Sequence, residues 1–264
     1  MHLRVLASGS KANVLLLRSG ATRILIDAGL GIRKLTAAFE EIGDSPDCLS
    51  AIFLTHEHAD HARALSRLLR RHPIPVFASP GTLERLRPKL PERAQASAMT
   101  EGFVEVEPFR VHSIPISHDA ADPVAYVIAS GDHRVVVATD LGEVPDALSR
   151  ALSDSTCAVI ESNHDEDLLE SGPYPRILKD RIRSSSGHLS NRQTADALAA
   201  CGRNGLQHVV LAHISAENND PELALNSARR ALEGRDVQIH LTAQGVPGPY
   251  LDLSLTQTYS NHER

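Results

Sequence analysis

Short runs rich in Val, Ile, Leu and Ala recur from one end of this chain to the other, with amphipathic stretches between several of them. Leu3 to Ala7, Asn13 to Arg18, Arg23 to Asp27, Ala51 to Thr55, Ile74 to Ala78, Phe109 to Ile116, Val124 to Ala129, Arg134 to Thr139, Ala158 to Glu161, His208 to Ala212 and Val237 to Thr242 read as strands, about eleven in all. Leu35, Ala38, Phe39 and Ile42, and again Leu65, Leu68 and Leu69, repeat at helical spacing. Ser190 with Gln193 forms a capping-box pattern that predicts a helix through Ala200, and Asp220-Pro221 predicts the start of another through Leu232. Strands and helices mixed in this way bury best as sheet on sheet with helices outside. The expectation is an α/β fold, an αββα sandwich of two mixed sheets, in one domain over residues 1–264. No linker or repeat divides the chain, and Pro88 to Thr100 reads as a surface loop.

Composition narrows the function classes. Of 264 residues 42% are apolar, enough for a substantial core. Trp is absent and aromatics are 3%, which disfavours a stacking platform for bases. No run of about 18 apolar residues appears, so no membrane span is expected. Met1 to Val5 enters a strand at once, without the pattern of a signal peptide, and the expected location is the cytoplasm. Cys48, Cys157 and Cys201 stand far apart and read as small buried hydrophobes. The net charge of −6 disfavours indiscriminate coating of DNA and leaves room for a local basic surface.

The strand Ala51 to Thr55 runs directly into His56-Glu57-His58-Ala59-Asp60-His61. Imidazoles and a carboxylate are ligands for zinc, manganese or iron, and four of them at one strand end can surround two ions. Composition alone would give that string in roughly one chain in several hundred. Ser117-His118, Thr139-Asp140-Leu141-Gly142 and Ala212-His213-Ile214-Ser215 each follow a predicted strand.

Together these motifs resemble the metallo-β-lactamase superfamily. The resemblance implies His56, His58 and His118 on one divalent ion, Asp60, His61 and His213 on the other, and Asp140 between them. Two ions are implied, zinc first, with manganese or iron as the other ions such a set accepts. Ser8-Gly9-Ser10 with Asn13, Leu25 to Leu30, Glu161 to Asp165, Gly187-His188-Leu189-Ser190-Asn191, and His213 to Ser215 with Asn218-Asn219 are similar to the YycJ/WalJ-like branch. That likeness implies a metal-dependent 5′-3′ DNA exonuclease, with Ser10, Asn13 and Asn191 near the substrate. Ala12 stands where that loop would carry Gly.

Two divalent ions, two aspartates and a bridging hydroxide leave one net positive charge, which favours an anionic substrate. A metal pair suits phosphodiester hydrolysis by the hydroxide, with no Ser or Cys nucleophile. The leaving alkoxide still needs a proton. His188 is the candidate donor, because its place resembles that of a histidine at the scissile phosphate in nuclease branches. Asp60, His188 and Glu161 form the candidate catalytic set. Glu161 closes an apolar strand, where a carboxylate needs a partner such as His188 or a ligand histidine, or else makes a surface salt bridge. Asp27 either orients an imidazole or stabilises its turn, and His164 and Asp165 either join the site network or open a helix. Glu57 has no role that the sequence resolves. His2, His72, His112, His133, His208, His240 and His262 read as bystanders.

Arg176, Lys179, Arg181, Arg183 and Arg192 face only Asp180 within residues 176–192 and flank His188, so Arg181 and Arg183 are candidate contacts to a DNA backbone read without regard to sequence. Arg63, Arg67, Arg70 and Arg71 form a second candidate rail. Two alternatives share the metal plan: a small-molecule hydrolase of a thioester, lactone or cyclic phosphodiester, and a ribonuclease Z-like enzyme. The second is disfavoured because only 22 positions separate His118 from Asp140, too few for a tRNA-gripping arm.

Overall fold

The computed structural model describes residues 1–100, 102–201 and 205–254, so His262 lies outside the described residues. Two seven-stranded sheets form the centre. The first holds β1 (His2–Ala7), β2 (Val14–Ser19), β3 (Thr22–Ile26), β4 (Ala51–Phe53), β5 (Val76–Ala78) and β6 (Ala96–Ala98) in that order, with β14 (Tyr250–Asp252) on the other side of β1. The second runs β7 (Val104–Val106), β8 (Phe109–Pro115), β9 (Val124–Ser130), β10 (His133–Ala138), β11 (Cys157–Glu161), β12 (His208–Ala212) and β13 (Gln238–Leu241). Helices α1 (Ile32–Glu41), α2 (Ala59–Ala62), α3 (Leu65–Arg71) and α4 (Pro80–Leu86) follow strands of the first sheet. The second sheet is followed by α5 (Asp146–Ser153), α6 (Glu166–Ser171), α7 (Arg176–Arg183), α8 (Asn191–Ala200) and α9 (Pro221–Ala231).

Strand periodicity explains the layers. In β3, Ile24 and Ile26 point between the sheets, where they meet Tyr126, Ile128 and Val137, while Leu25 points outward onto Leu35, Phe39 and Leu68 of α1 and α3. In β10 and β11, Val136, Ala138 and Ile160 face Leu148 and Leu152 of α5 and Leu198 of α8. Both faces of each central strand are thus buried, which is why the parallel strands β10 to β12 read as nearly continuous apolar runs. The result is the expected αββα sandwich.

The directions of pairing gather the functional loops. β1 and β3 both run antiparallel to β2, and β4 is parallel to β3, so their carboxyl ends share one edge. In the second sheet β8 and β10 flank β9 antiparallel, and β11 and β12 continue parallel to β10. All seven of these strands therefore deliver their following residues to one edge of their sheet, the usual place for a site in such folds.

Some expectations need correcting. Pro88 to Thr100 is not simply a loop: Ala96–Ala98 pairs with β5 as the edge strand β6, hidden from a sequence reading because it is only Ala-Ser-Ala and largely solvent-facing. β7 and β14 are likewise three-residue edge strands without a legible pattern. Cys48 is exposed at the end of the short 3-10 turn Pro46–Cys48, while Cys157 and Cys201 are buried as expected. The helices starting after Ser190 and Asp220 are both present with their caps, and the capping box is reciprocal.

Candidate metal centre

β4 ends at Phe53, and the chain then turns through Leu54 and Thr55 into the one-turn helix α2. This turn brings His56, His58 and His61 to one edge, where His118 arrives from the end of β8, Asp140 from β10 and His213 from β12. Ligand atoms of His56, His58 and His118 lie within 4.8 Å of one another, and so do those of Asp60, His61, Asp140 and His213. The first three rings stand nearly edge-on to one another, with centroids 4.5 to 5.2 Å apart. Asp140 reaches both groups: its Oδ2 is 3.1 Å from His61 Nε2 and its Oδ1 is 3.9 Å from His118 Nε2.

Three of the residues that build this edge have positive φ without being glycine: Asp27 at 61°, Asp140 at 59° and His213 at 53°. Left-handed backbone costs a non-glycine residue about 1 kcal/mol or more, and such positions cluster where function demands a particular side-chain direction. Each ends a strand run and turns its side chain back toward the site.

The Nδ1 side of four imidazoles is occupied, which turns their Nε2 atoms toward the centre, where that of His61 also meets the Asn13 amide at 3.0 Å. His61 Nδ1 donates to Asp27 Oδ2 at 2.8 Å, His213 Nδ1 to Glu161 Oε1 at 2.9 Å, and His118 Nδ1 to the Gly187 carbonyl at 3.1 Å. His56 Nδ1 lies 3.1 Å from the Thr55 hydroxyl, which itself contacts both Asp27 oxygens. Asp27 is therefore an orienting residue of the His61 ring, the first of the two readings the sequence left open. Thr55 is a participant that sequence reasoning missed; its place between a strand and the histidine motif was the only signal.

Electrostatics divide the centre into two halves. Burial pushes the His56 pKa well below its ordinary value and lowers that of His118, so both hold free lone pairs. Burial alone would raise the Asp140 carboxyl, but the His213 and His61 imidazoles overcome it and hold it well below the usual range. Burial also opposes charge on His61 and His213, yet Asp140, with Asp27 for the first and Asp60 and Glu161 for the second, raises both, His213 to about 10. A field that draws protons onto two buried imidazoles draws a divalent cation equally. His56 Nε2, His213 Nε2 and Asp140 Oδ2 are buried without a well-formed hydrogen bond among the described residues. Orphaned donors and acceptors of this kind are rare and costly unless something else satisfies them. The residues present thus fit two divalent ions.

Residues 22–214 match the family model of the beta-lactamase superfamily domain. The chain is 35% identical to exodeoxyribonuclease YycJ of Bacillus anthracis over 261 residues, covering 94% of this chain and 97% of that protein. It is also 35% identical to exodeoxyribonuclease WalJ of Streptococcus pneumoniae over 228 residues, covering 83% and 84%. The chain belongs to the metallo-β-lactamase superfamily. Within the superfamily it stands in the YycJ/WalJ-like branch. The crystal structure of the metallo-β-lactamase fold protein YhfI from Bacillus subtilis shares the fold, with a TM-score of 0.74 at 16% identity and coverage of 95% of this chain and 99% of that one.

Beside the superfamily's metal edge stands His188, whose Nδ1 is 2.8 Å from Glu161 Oε1. Glu161 is fully buried, and its other oxygen accepts the backbone N–H of Leu141 at 3.1 Å and of Leu189 at 3.2 Å. Burial disfavours its charge, but His188 and His213 hold its pKa down to about 2. With four donors on one carboxylate, the grouping of Asp140, Glu161, His188 and His213 is a hydrogen-bonded network and not a third ion site. Asp165 caps α6, whereas His164 is buried beside it within the field of Glu161 and His188.

The residues expected at the substrate separate. Ser10 lines a pocket of about 190 Å³ with His118, Tyr174, Arg181 and His188. Asn13 is buried, accepting from the Gly9 N–H at 3.0 Å and reaching His61 Nε2 at 3.0 Å, so it organises the loop. Asn191 is a correction: it is buried with its amide engaged by Ser162 at 2.7 Å and Asn219 at 2.8 and 2.9 Å, and it pins two loops together. The charges of the arginine run have partners within the protein. Arg181 pairs with Asp119, Arg183 with Glu170, Arg176 with Glu170 and Asp180, and Arg192 with Glu166 and Asp196. The sequence hid this because the partners Asp119, Glu166 and Glu170 lie outside residues 176–192.

Proposed function

We propose that this chain is a dinuclear metal-dependent phosphodiesterase that removes nucleotides from the 5′ end of DNA. The observation that carries the reading is the sharing of one carboxylate, Asp140, by two imidazole-rich groups with the Glu161-held His188 at their margin. Kinship with exodeoxyribonucleases supports DNA as the polymer. His56, His58 and His118 would hold one ion, Asp60, His61 and His213 the other, and Asp140 both; zinc suits this ligand chemistry. When bound, such ions would supply Lewis acidity, acidifying a water and stabilising charge on the oxygens of an in-line displacement.

The chain's own residues do the rest. Asp60 is 21% exposed, borders the open side of the centre and can accept a hydrogen bond from the attacking water. His188 gives its Nδ1 proton to a hydrogen bond with Glu161, so Nε2 is the atom left to serve the substrate. Burial lowers the basicity of His188, but the Glu161 charge more than offsets this and raises its pKa, which favours the protonated ring. The water oxygen bonds to phosphorus, the P–O3′ bond breaks, and O3′ takes the proton from His188 Nε2. Arg181 and Ser10 line the pocket beside that leaving oxygen. Among the described residues no helix is long and apolar enough to cross a membrane, and the reading keeps the protein with the chromosome in the cytoplasm.

Degradation of duplex labelled at either end tests the proposal. A 5′ label is expected to appear first as mononucleotide, with Zn²⁺ or Mn²⁺ present. Laddering from the 3′ end, or no hydrolysis by fully metallated protein, overturns it.

A further inference from the structure

The Ser8–Asn13 loop borders the His188 pocket through Ser10 and, through Ser8, Lys11 and Ala12, a larger cleft of about 530 Å³. Lys11, Arg33, Lys34, Arg63 and Arg67 line it, with no carboxylate among its lining residues. All five are exposed, and none makes an ion pair among the described residues, in contrast to the partnered arginines around α7. Five like charges around one cleft repel one another, and among the described residues no carboxylate lies within ion-pair distance of any of them. A polyanion would compensate them.

The cleft is fastened to the metal centre through the main chain. Asn13 N–H donates to the Asp60 carbonyl at 2.8 Å, Ala28 N–H to the His61 carbonyl at 2.6 Å, and Ala64 N–H to the Ala28 carbonyl at 2.9 Å. Arg63 caps the end of α2, the helix that carries Asp60 and His61, Arg67 lies four residues on in α3, and Arg33 and Lys34 open α1. Ser8 and Ala12 of the loop face this cleft, while Ser10 faces the His188 pocket.

We infer that this cleft carries the phosphodiester backbone of the DNA strand that stays bound while its 5′ end is hydrolysed. The inference rests on the nuclease reading above. His188 protonates the O3′ of the departing nucleotide, so that nucleotide belongs in the small pocket on its side of the loop. The remaining strand, which keeps the phosphate, leaves across the loop into the cleft. A volume near 530 Å³ with five separate cations suits successive phosphates of a strand more than one compact nucleotide. Ala12, where the branch's loop would carry Gly, lines the cleft wall.

The test is binding of a fluorescein-labelled phosphorothioate DNA oligonucleotide to metallated protein over a range of salt concentrations. Arg33→Gln with Arg67→Gln is expected to weaken binding by about tenfold or more at low salt, and to make the slope of log K against log salt shallower by about 1.4, at roughly 0.7 per lost phosphate contact. Lys34→Gln with Arg63→Gln is expected to do the same. Metal content and melting temperature should stay at the wild-type values, since all four side chains are exposed. The control is Arg229→Gln with Arg230→Gln on α9, an equal charge change at exposed positions outside the cleft, and its slope should match wild type. An unchanged slope in both cleft pairs, or an equal change in the control, overturns the inference. If wild type hydrolyses DNA while the cleft variants keep its slope, only the cleft's role falls. If wild type neither binds nor hydrolyses DNA, the nuclease reading falls and takes this inference with it.

Discussion

The Glu161 carboxylate accepts the Nδ1 proton of His188 at 2.8 Å, and the same oxygen lies 2.9 Å from His213 Nδ1. One buried anion thus fixes the tautomer of a candidate acid and of a candidate ligand together. Glu161→Gln keeps the shape but loses the charge, and its amide turns a donor toward groups that already donate. We expect activity and metal affinity each to fall about 10- to 100-fold. Metal titration alongside kcat checks this; a variant with full metal content and wild-type kcat would disprove the linkage.

His188→Ala removes the proton donor and leaves every candidate ligand in place. DNA hydrolysis, which expels an alkoxide, should slow by about 10²- to 10⁴-fold. Hydrolysis of bis(p-nitrophenyl) phosphate, whose leaving group needs no proton, should slow far less. Equal losses on both substrates would argue that His188 only holds structure.

Asp27 is 3% exposed and accepts from the Thr55 N–H at 2.9 Å as well as from His61. Asp27→Ala leaves these donors buried and unpaired, at a cost of about 1 to 3 kcal/mol for each orphaned group. A lower melting temperature together with weaker metal binding is expected, and Asp27→Asn should be milder on both. Calorimetry with and without added zinc separates the two effects.

Gly29 has no room for a side chain. A Cβ there would sit 1.5 Å from the Asp60 carbonyl oxygen and 2.8 Å from the Asn13 nitrogen, both main-chain atoms. Gly29→Ala is expected to displace the loop bearing Asp60 and His61. Loss of bound metal and a marked drop in melting temperature would report it, and a variant that keeps both would show that the loop can yield.

Away from the centre, His208 and His240 meet across β12 and β13, with Nδ1 to Nε2 at 3.4 Å. Burial lowers both pKa values, and the neighbouring His208 lowers that of His240 further. The unfolded chain, with histidine near 6.5, then takes up protons more readily than the folded one. Their contribution is complete above about pH 6.5 and is lost as pH falls below it. In His240→Gln the decline of stability between about pH 6.5 and 5 should be shallower, as read by urea unfolding at each pH; parallel curves would contradict this.

Much of the architecture was legible in the residues. The strand before His56 was visible as an apolar run, and the capping box at Ser190 marked a helix start to the residue. What escaped were features that depend on partners distant in the chain. The pairing of Arg181 with Asp119 spans 62 positions, and no local pattern announces it. The left-handed backbone at Asp27, Asp140 and His213 is equally silent, because neither residue type demands it; the strand ends impose it. The edge strand Ala96–Ala98 carries no alternation, since most of it faces solvent.

The contact between Gly29 and the Asp60 carbonyl, with the three main-chain hydrogen bonds around it, ties the loop that bears Asp60 and His61 to its neighbours through peptide units. Replacement of outer side chains can then reshape what the rim accepts while the reactive centre keeps its spacing. A scaffold organised in this way can change clients without relearning its chemistry.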